Sequence, residues 1–402
     1  MSEDLNVDIV ILGGGIAGTW LLNLLSSRYR VLLVENERLG GVQTIGSQGM
    51  IHGGIKYSLN ASLTGASESV SSMPEFWRQC LSGNNADNEP DLSDVKLLSD
   101  SYYLFSDSSL SSRLTTFLGS KLVRGRVTQI APANYPEVFS SPEFKGRLYL
   151  LQDMVLDTAS LTRSLVKGLA SRIIRALARP VMNDEGAVSH LSLSENADSS
   201  EIVRVKAAFY IFTAGLGNEI FIKHTGVKGI KTQRRPLHQV IIKSDRLPPI
   251  FAHAISLTTA SSPRVTITSH TSKTGQTIWY LGGELAETGV NRSEKEQIAF
   301  SRKELCRIMP WIDFSASEWS TLRIDRAEPS VSGLLRPEKP VVFGYANMMF
   351  CWPVKLTMAP LLGQMVCQQL EANLETDSSS EIHLPETNLR FPEWAEFPWD
   401  AL

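Results

Sequence analysis

Neither sign of charge dominates this chain: 39 Lys and Arg stand against 42 Asp and Glu over 402 residues, a net charge of -3 with no long like-charge block. That balance argues against the electrostatic grip that nucleic-acid and anionic-lipid binding need. Cysteine is also sparse, and Cys80, Cys306, Cys351 and Cys367 never fall in CxxC spacing. An iron–sulfur cluster, a zinc ribbon or a disulfide framework is therefore not expected. A reducing cytoplasm suits such usage, with the chain free or peripheral to the inner face of a membrane. The opening MSEDLNVD is acidic and lacks the basic leader of a secretory signal. No apolar run approaches the ~20 residues that cross a bilayer. His190, His224, His253, His270 and His383 show no ligand-like spacing, so no metal is expected.

Hydrophobic residues make up 43% of the sequence, enough at this length for one large α/β domain or two interleaved ones. Residues 7–12 (VDIVIL) suit a buried parallel strand, residues 16–27 have helical spacing, and residues 31–34 (VLLV) form a second strand. Together they predict a βαβ unit. Residues 202–217 add a buried strand that runs into glycines, while 238–243, 264–269 and 277–282 alternate as half-solvated antiparallel strands do. Residues 58–120 are serine-rich and loop-like, interrupted by a helix at 74–81 and a strand at 100–106. Strand, turn and helix resume over 148–170, with Asp157 or Thr158 as helix cap. A helix over 294–309 stops at Pro310, and residues 374–402 read as a tail laid over the surface.

Gly13-Gly14-Gly15-Ile16-Ala17-Gly18 satisfies GxGxxG directly after the first strand and at the opening of the first helix, and Glu35 ends the next strand. In that context Gly13, Gly15 and Gly18, with Ile16 and Ala17, let backbone approach a pyrophosphate at a helix N-terminus, and Glu35 accepts the hydroxyls of an adenosine ribose. Gly215-Leu216-Gly217 and Gly282-Gly283 lack this context. A single fingerprint at the N-terminus points to FAD alone rather than to an NAD–flavin pair. The fold class expected is α/β, a Rossmann-like FAD-binding domain with an inserted antiparallel-sheet substrate (cap) domain. Residues 1–75, 148–226 and 322–402 would form the first, and 76–147 and 227–321 the second.

Residues 40–57, GGVQTIGSQGMIHGGIKY, carry small and hydroxylated side chains where backbone must approach a cofactor. This run resembles the FAD-dependent glycerol-3-phosphate dehydrogenases of the D-amino-acid-oxidase superfamily, which read LIHGGxRY; Lys56 stands for the arginine. The L-2-hydroxyglutarate dehydrogenases carry a looser form. The resemblance implies that Thr44 and Ser47 contact the FAD phosphates and that His52 and Gly53 pass the isoalloxazine ring. Lys355-Leu356-Thr357 resembles the KLT of the same family, with Pro353 and Val354 replacing its paired glycines. Thr357 would cap a helix to about Glu371, and Lys355 would face the N1/C2=O edge of the flavin, unless it is a solvated lysine at a helix start. Ala214 and Gly215 lie in a stretch similar to NATGPW, which closes over the FAD diphosphate.

Arg323 sits where the family has GxRP, whose arginine holds a substrate carboxylate or phosphate by paired charge-assisted hydrogen bonds. A salt bridge to Asp325 or Asp313 is the alternative. Arg235 and His238 align with KGSH, as a second anion contact and a proton acceptor; His52 competes for the second role. The resemblance implies an FAD-dependent dehydrogenase or oxidase for a small anionic hydroxy or amino substrate, with a quinone, a partner flavoprotein or oxygen as acceptor. The alternative is a flavoprotein whose FAD is a structural or sensory element of a complex.

Overall fold

A computed structural model describes residues 3–54, 70–84, 89–106, 127–255, 263–330, 337–374 and 389–400. Ile55 to Tyr57 of the HGG run and much of the serine-rich segment lie outside the described residues. The first strand, Glu3–Leu12, is the centre of an eight-stranded sheet, flanked in parallel by Val31–Glu35 and by Val203–Phe212. Ile173–Arg175 extends it in parallel on one side; Val188–Ser194 and Leu177–Met182 continue it as an antiparallel hairpin on the other. Met348–Trp352 pairs in parallel with the end of Val203–Phe212. Both faces of the central strand are covered, as parallel strands require. Ile9 and Ile11 pack with Leu21, Leu22, Leu362 and Val366 of the helices Ile16–Leu25 and Ala359–Glu371, while Val10 and Leu12 pack with Tyr210 and Phe350.

The second eight-stranded sheet runs in the order Glu318–Pro329, Thr232–Ser244, Thr277–Gly282, Val265–Thr271, Ala252–Ile255, Tyr102–Ser106, Arg147–Leu151 and Val127–Gln129. Every neighbouring pair is antiparallel except Ala252–Ile255 with Tyr102–Ser106. Two of its strands and one helix differ from the expected division. Residues 148–151 belong to this sheet, and Glu318–Pro329 crosses the expected boundary at 321/322. The helix Met73–Ser82 packs instead with the first sheet's layer, where Trp77 meets Trp20 at 5.0 Å. Long-range pairing sets these memberships, and local periodicity does not report it.

One face of the second sheet is apolar. Val240, Ile242, Ile267, Trp279 and Leu281 pack there with Leu305 of the helix Glu294–Ile308, which opens on a Ser293/Glu296 capping box. Since strand residues alternate between faces, the opposite face carries Gln239, Ile241, Thr268, His270, Tyr280 and Leu322 and fronts the cofactor-side turn at Gly46–Gln48. Among the described residues no helix is long and apolar enough to cross a membrane.

The tail is a clasp rather than a surface covering. Glu393–Trp394 pairs in parallel with Arg38–Leu39, just after Glu35, and Arg163 lies 5.4 Å over the Trp394 ring. The tail then reaches the second sheet, where Lys273 Nζ meets Glu396 at 2.7 Å and Lys273 N–H donates to Asp400 at 2.9 Å. Trp399, 2% exposed, stacks on Phe397 and packs on His270 at 4.5 Å.

This burial, with Lys96 adding to it, holds the His270 imidazole down to about 3 from 6.5. The unfolded chain takes up a proton near 6.5 that the folded chain refuses until about 3. Stability from the neutral ring is thus complete above 6.5 and is lost as pH falls toward 3, at up to about 1.4 kcal/mol per pH unit. His270→Asn should flatten the fall in urea-unfolding free energy over that window. An unchanged slope would place the acid sensitivity elsewhere.

Candidate active site

The glycines of the fingerprint do separate jobs. Gly13 has φ +107°, and a Cβ on it would stand 2.7 Å from Ala214 Cα. A Cβ on Gly18 would stand 1.9 Å from the Gly13 carbonyl oxygen, so the first helix rests directly on the strand end. At Gly15 a Cβ would meet only Thr44 Oγ1, at 3.2 Å. The helix has no side-chain cap at Gly15; the Ile16 N–H donates to Thr44 Oγ1 at 2.9 Å, bringing the expected phosphate threonine to the helix N-terminus. Ala17 is buried behind it in the first turn, and Ser47 spends its hydroxyl within the same segment, accepting from Gly49 N–H at 3.3 Å.

Glu35 accepts from the Gly14 N–H at 2.6 Å and from the Glu37 N–H at 2.8 Å. Burial raises its pKa, and those backbone donors oppose the rise. Beside it, Thr213 donates to the carbonyls of Leu12 and Gly13 at 3.0 and 2.9 Å, and Gly215 takes a left-handed φ of +58°. Asn218, fully buried, accepts from Ala214 N–H and donates to the Cys351 carbonyl, tying this strand end to Met348–Trp352. No motif announces Asn218; only the convergence of three strands gives it work. The glycine-lined approach, the helix end without its own cap and the buried carboxylate fit the diphosphate and ribose of FAD.

At the other end, Thr357 does not cap the long helix. Leu356–Met358 forms a 3-10 turn opened by half-buried Lys355, and Met358 precedes the helix Ala359–Glu371. The Thr357 hydroxyl instead accepts from the His52 N–H at 3.0 Å and lies 3.4 Å from the Met50 carbonyl. The Gly53 N–H donates to Asp153 at 3.0 Å. Val354 adopts φ +64°, a left-handed conformation strained for a β-branched residue. The turn thus keeps a glycine-type backbone where the family's paired glycines are replaced.

The cap-sheet residues expected to meet substrate are placed differently. His238 and Arg323 are directly opposite in register and share the helix-covered face. His238 is fully buried with Nδ1 3.0 Å from the Gly289 carbonyl, and burial lowers its pKa. Arg323 donates to the Val290 carbonyl at 2.7 Å and to that of Arg292, in place of an ion pair with Asp325 or Asp313. Arg235 lies 3.3 Å from Glu328 and 3.8 Å from Glu287. The residues that do front the cofactor side are others. Gln48 donates to the carbonyls of Tyr280 at 2.9 Å and Thr266 at 3.3 Å, and the Tyr280 hydroxyl lies 2.8 Å from Gly46 O and 2.7 Å from Gln239 Oε1. His253, buried, meets Thr266 Oγ1 at 2.9 Å and the Tyr102 ring at 4.5 Å. Strand alternation is the only sequence signal for this set.

A parallel sheet ending in a glycine-lined cradle at a helix N-terminus, with an antiparallel sheet laid over it, defines a two-layer dinucleotide-binding protein. The DAO family model, FAD dependent oxidoreductase, matches residues 8–369. The chain is 40% identical over 398 residues to the probable FAD-dependent oxidoreductase PA4991 of Pseudomonas aeruginosa, covering 98% of this chain and 99% of that protein. The crystal structure of PA4991 matches with a TM-score of 0.82 and 35% identity over 100% of this chain and 99% of that one. An L-alpha-glycerophosphate oxidase from Mycoplasma pneumoniae with FAD bound shares the fold, with TM-score 0.67 and 12% identity over 95% of this chain and 100% of that chain. The chain belongs to the DAO family of FAD-dependent oxidoreductases, and FAD is its cofactor.

The two glycines separate folding from cofactor binding. Gly18→Ala should destabilise the chain, because its methyl meets backbone that cannot move aside. Gly15→Leu should leave a folded chain that purifies without yellow colour. Thermal melts and the flavin-to-protein absorbance ratio check both; normal flavin content in Gly15→Leu would remove the pyrophosphate from this position.

Proposed function

We propose that this chain oxidises a small substrate at a carbon bearing a hydroxyl or amino group, received between the second sheet and the His52 segment. One observation carries the reading. The face of the second sheet turned toward the cofactor domain carries a group of buried polar side chains, Gln239, Thr266, Thr268, His253 and Tyr280, beside its apolar Ile241, Ile278 and Leu322, although a face packed between domains is ordinarily apolar throughout. Burying such groups is costly without partners, so a polar inner face supports a ligand-receiving role. Bound FAD supplies the two-electron acceptor, taking hydride at N5.

In this reading His52 accepts the proton of the substrate hydroxyl or amine, since His238 lies on the far face of the sheet. Lys355 and the 3-10 turn it opens set positive potential beside the flavin. An anionic group on the substrate is not carried by Arg323 or Arg235, whose guanidinium groups are committed to carbonyls and to carboxylates. The same commitment favours a second reading, in which FAD is a structural or sensory element of a complex.

Anaerobic addition of hydroxy acids, amino acids and glycerol phosphate to the purified protein separates the two: bleaching of the flavin absorbance is expected with one class, and none with any would favour the second reading. His52→Asn should slow that bleaching by about 10²-fold or more while FAD stays bound. Lys355→Met should lower the flavin midpoint potential, by about 30 mV for each ~1.4 kcal/mol of lost stabilisation. A redox titration without a shift would place Lys355 in solvent.

A further inference from the structure

The backbone at His52 is gripped through the peptide units on both sides of its Cα, by residues distant in sequence. The His52 N–H donates to Thr357 and the Gly53 N–H to Asp153, each at 3.0 Å. Asp153 stands between the strands Arg147–Leu151 and Met154–Leu156 and is 4% exposed. Its place follows from a ladder. Met50 pairs with Val155 and Ile51 with Met154, antiparallel, so the next residues outward are His52 and Asp153. The ladder ends there, and the Asp153 carboxylate continues it by accepting the Gly53 N–H.

Both grips are themselves anchored. The Trp77 indole N–H donates to the Thr357 carbonyl at 3.0 Å, and Arg78 donates to the Gln152 carbonyl at 2.8 Å. The helix Met73–Ser82 thus steadies both sides through adjacent residues. Two consecutive N–H groups held by separate elements fix the two peptide planes that flank the His52 Cα, and with them the direction in which the His52 side chain leaves the backbone.

We propose that Asp153 is a positioning residue for His52, acting through the Gly53 N–H rather than through its charge. The inference rests on the reading that His52 lies beside the flavin. An acceptor oxygen at this point is what the ladder end requires. Asp153→Asn keeps an acceptor oxygen in place without charge, whereas Asp153→Glu keeps the charge and displaces the oxygen.

The test uses the holoprotein without substrate and reads the visible circular dichroism and midpoint potential of bound FAD, with His52→Asn as control. Asp153→Glu and Asp153→Ala should shift the reduction equilibrium by about tenfold, about 30 mV for a two-electron couple, and Asp153→Asn should stay within about threefold of the parent. Parent-like Asp153→Glu with shifted Asp153→Asn would mean that charge acts, and would overturn the proposal. Parent-like Asp153→Glu and Asp153→Asn, with His52→Asn shifted, would overturn it while leaving the placement of His52 intact. No shift in His52→Asn would remove His52 from the flavin and overturn both. The near-isosteric pair keeps the test decisive if Asp153→Ala fails to fold.

Discussion

The contact between Gly18 and the Gly13 carbonyl is the approach on which the site depends. Only a hydrogen fits there, and the closeness sets the first helix end-on over the central strand. Its opening N–H groups then face the space between the ends of Glu3–Leu12 and Val203–Phe212, where Thr44, Glu35 and Ala214 converge. Lifting the helix by the width of a methyl group would separate these partners together. A phosphate-binding end therefore follows from packing density as much as from the helix dipole.

Over that cradle the second sheet is held by polar contacts as well as by the apolar cluster of Tyr102, Leu104, Leu151, Val155 and Met50. Gln48 reaches into the strand ends at Thr266 and Tyr280, and the Tyr280 hydroxyl returns to Gly46. Such pairs tolerate little sliding, because each displaced partner would leave a buried group unsatisfied. The tail adds a further apolar contact, running from the strand beside Glu35 to the ring cluster of Phe397, Trp399 and His270. The roof is thus tied at both ends, which gives the polar inner face a fixed distance from the His52 segment.

Val354 shows how strongly that environment determines local backbone. A left-handed valine costs on the order of 1 to 3 kcal/mol, and the surroundings must over-determine it. They do: Trp352 is buried just before it, and the following turn is anchored by Trp77 and by the Thr357–His52 bond.

The amino-acid sequence by itself determined the glycine fingerprint, its acidic partner Glu35, the flanking strands and helix, and the alternation of the antiparallel strands. All of these are set within one βαβ unit or one strand, where neighbours along the chain are neighbours in space. Tertiary structure alone decided which face of each alternating strand looks inward. His238 and Gln239 are adjacent and equally polar, yet the helix Glu294–Ile308 covers the first and leaves the second to the cofactor side. Arg323 turned to backbone carbonyls for the same reason. Thr357 became a grip on His52 because a 3-10 turn intervenes before the helix, and Asp153 and Asn218 gained their partners only when segments 100 and 133 residues away were brought beside them. A residue's partner across such separations depends on sheet order and register, which no local pattern encodes.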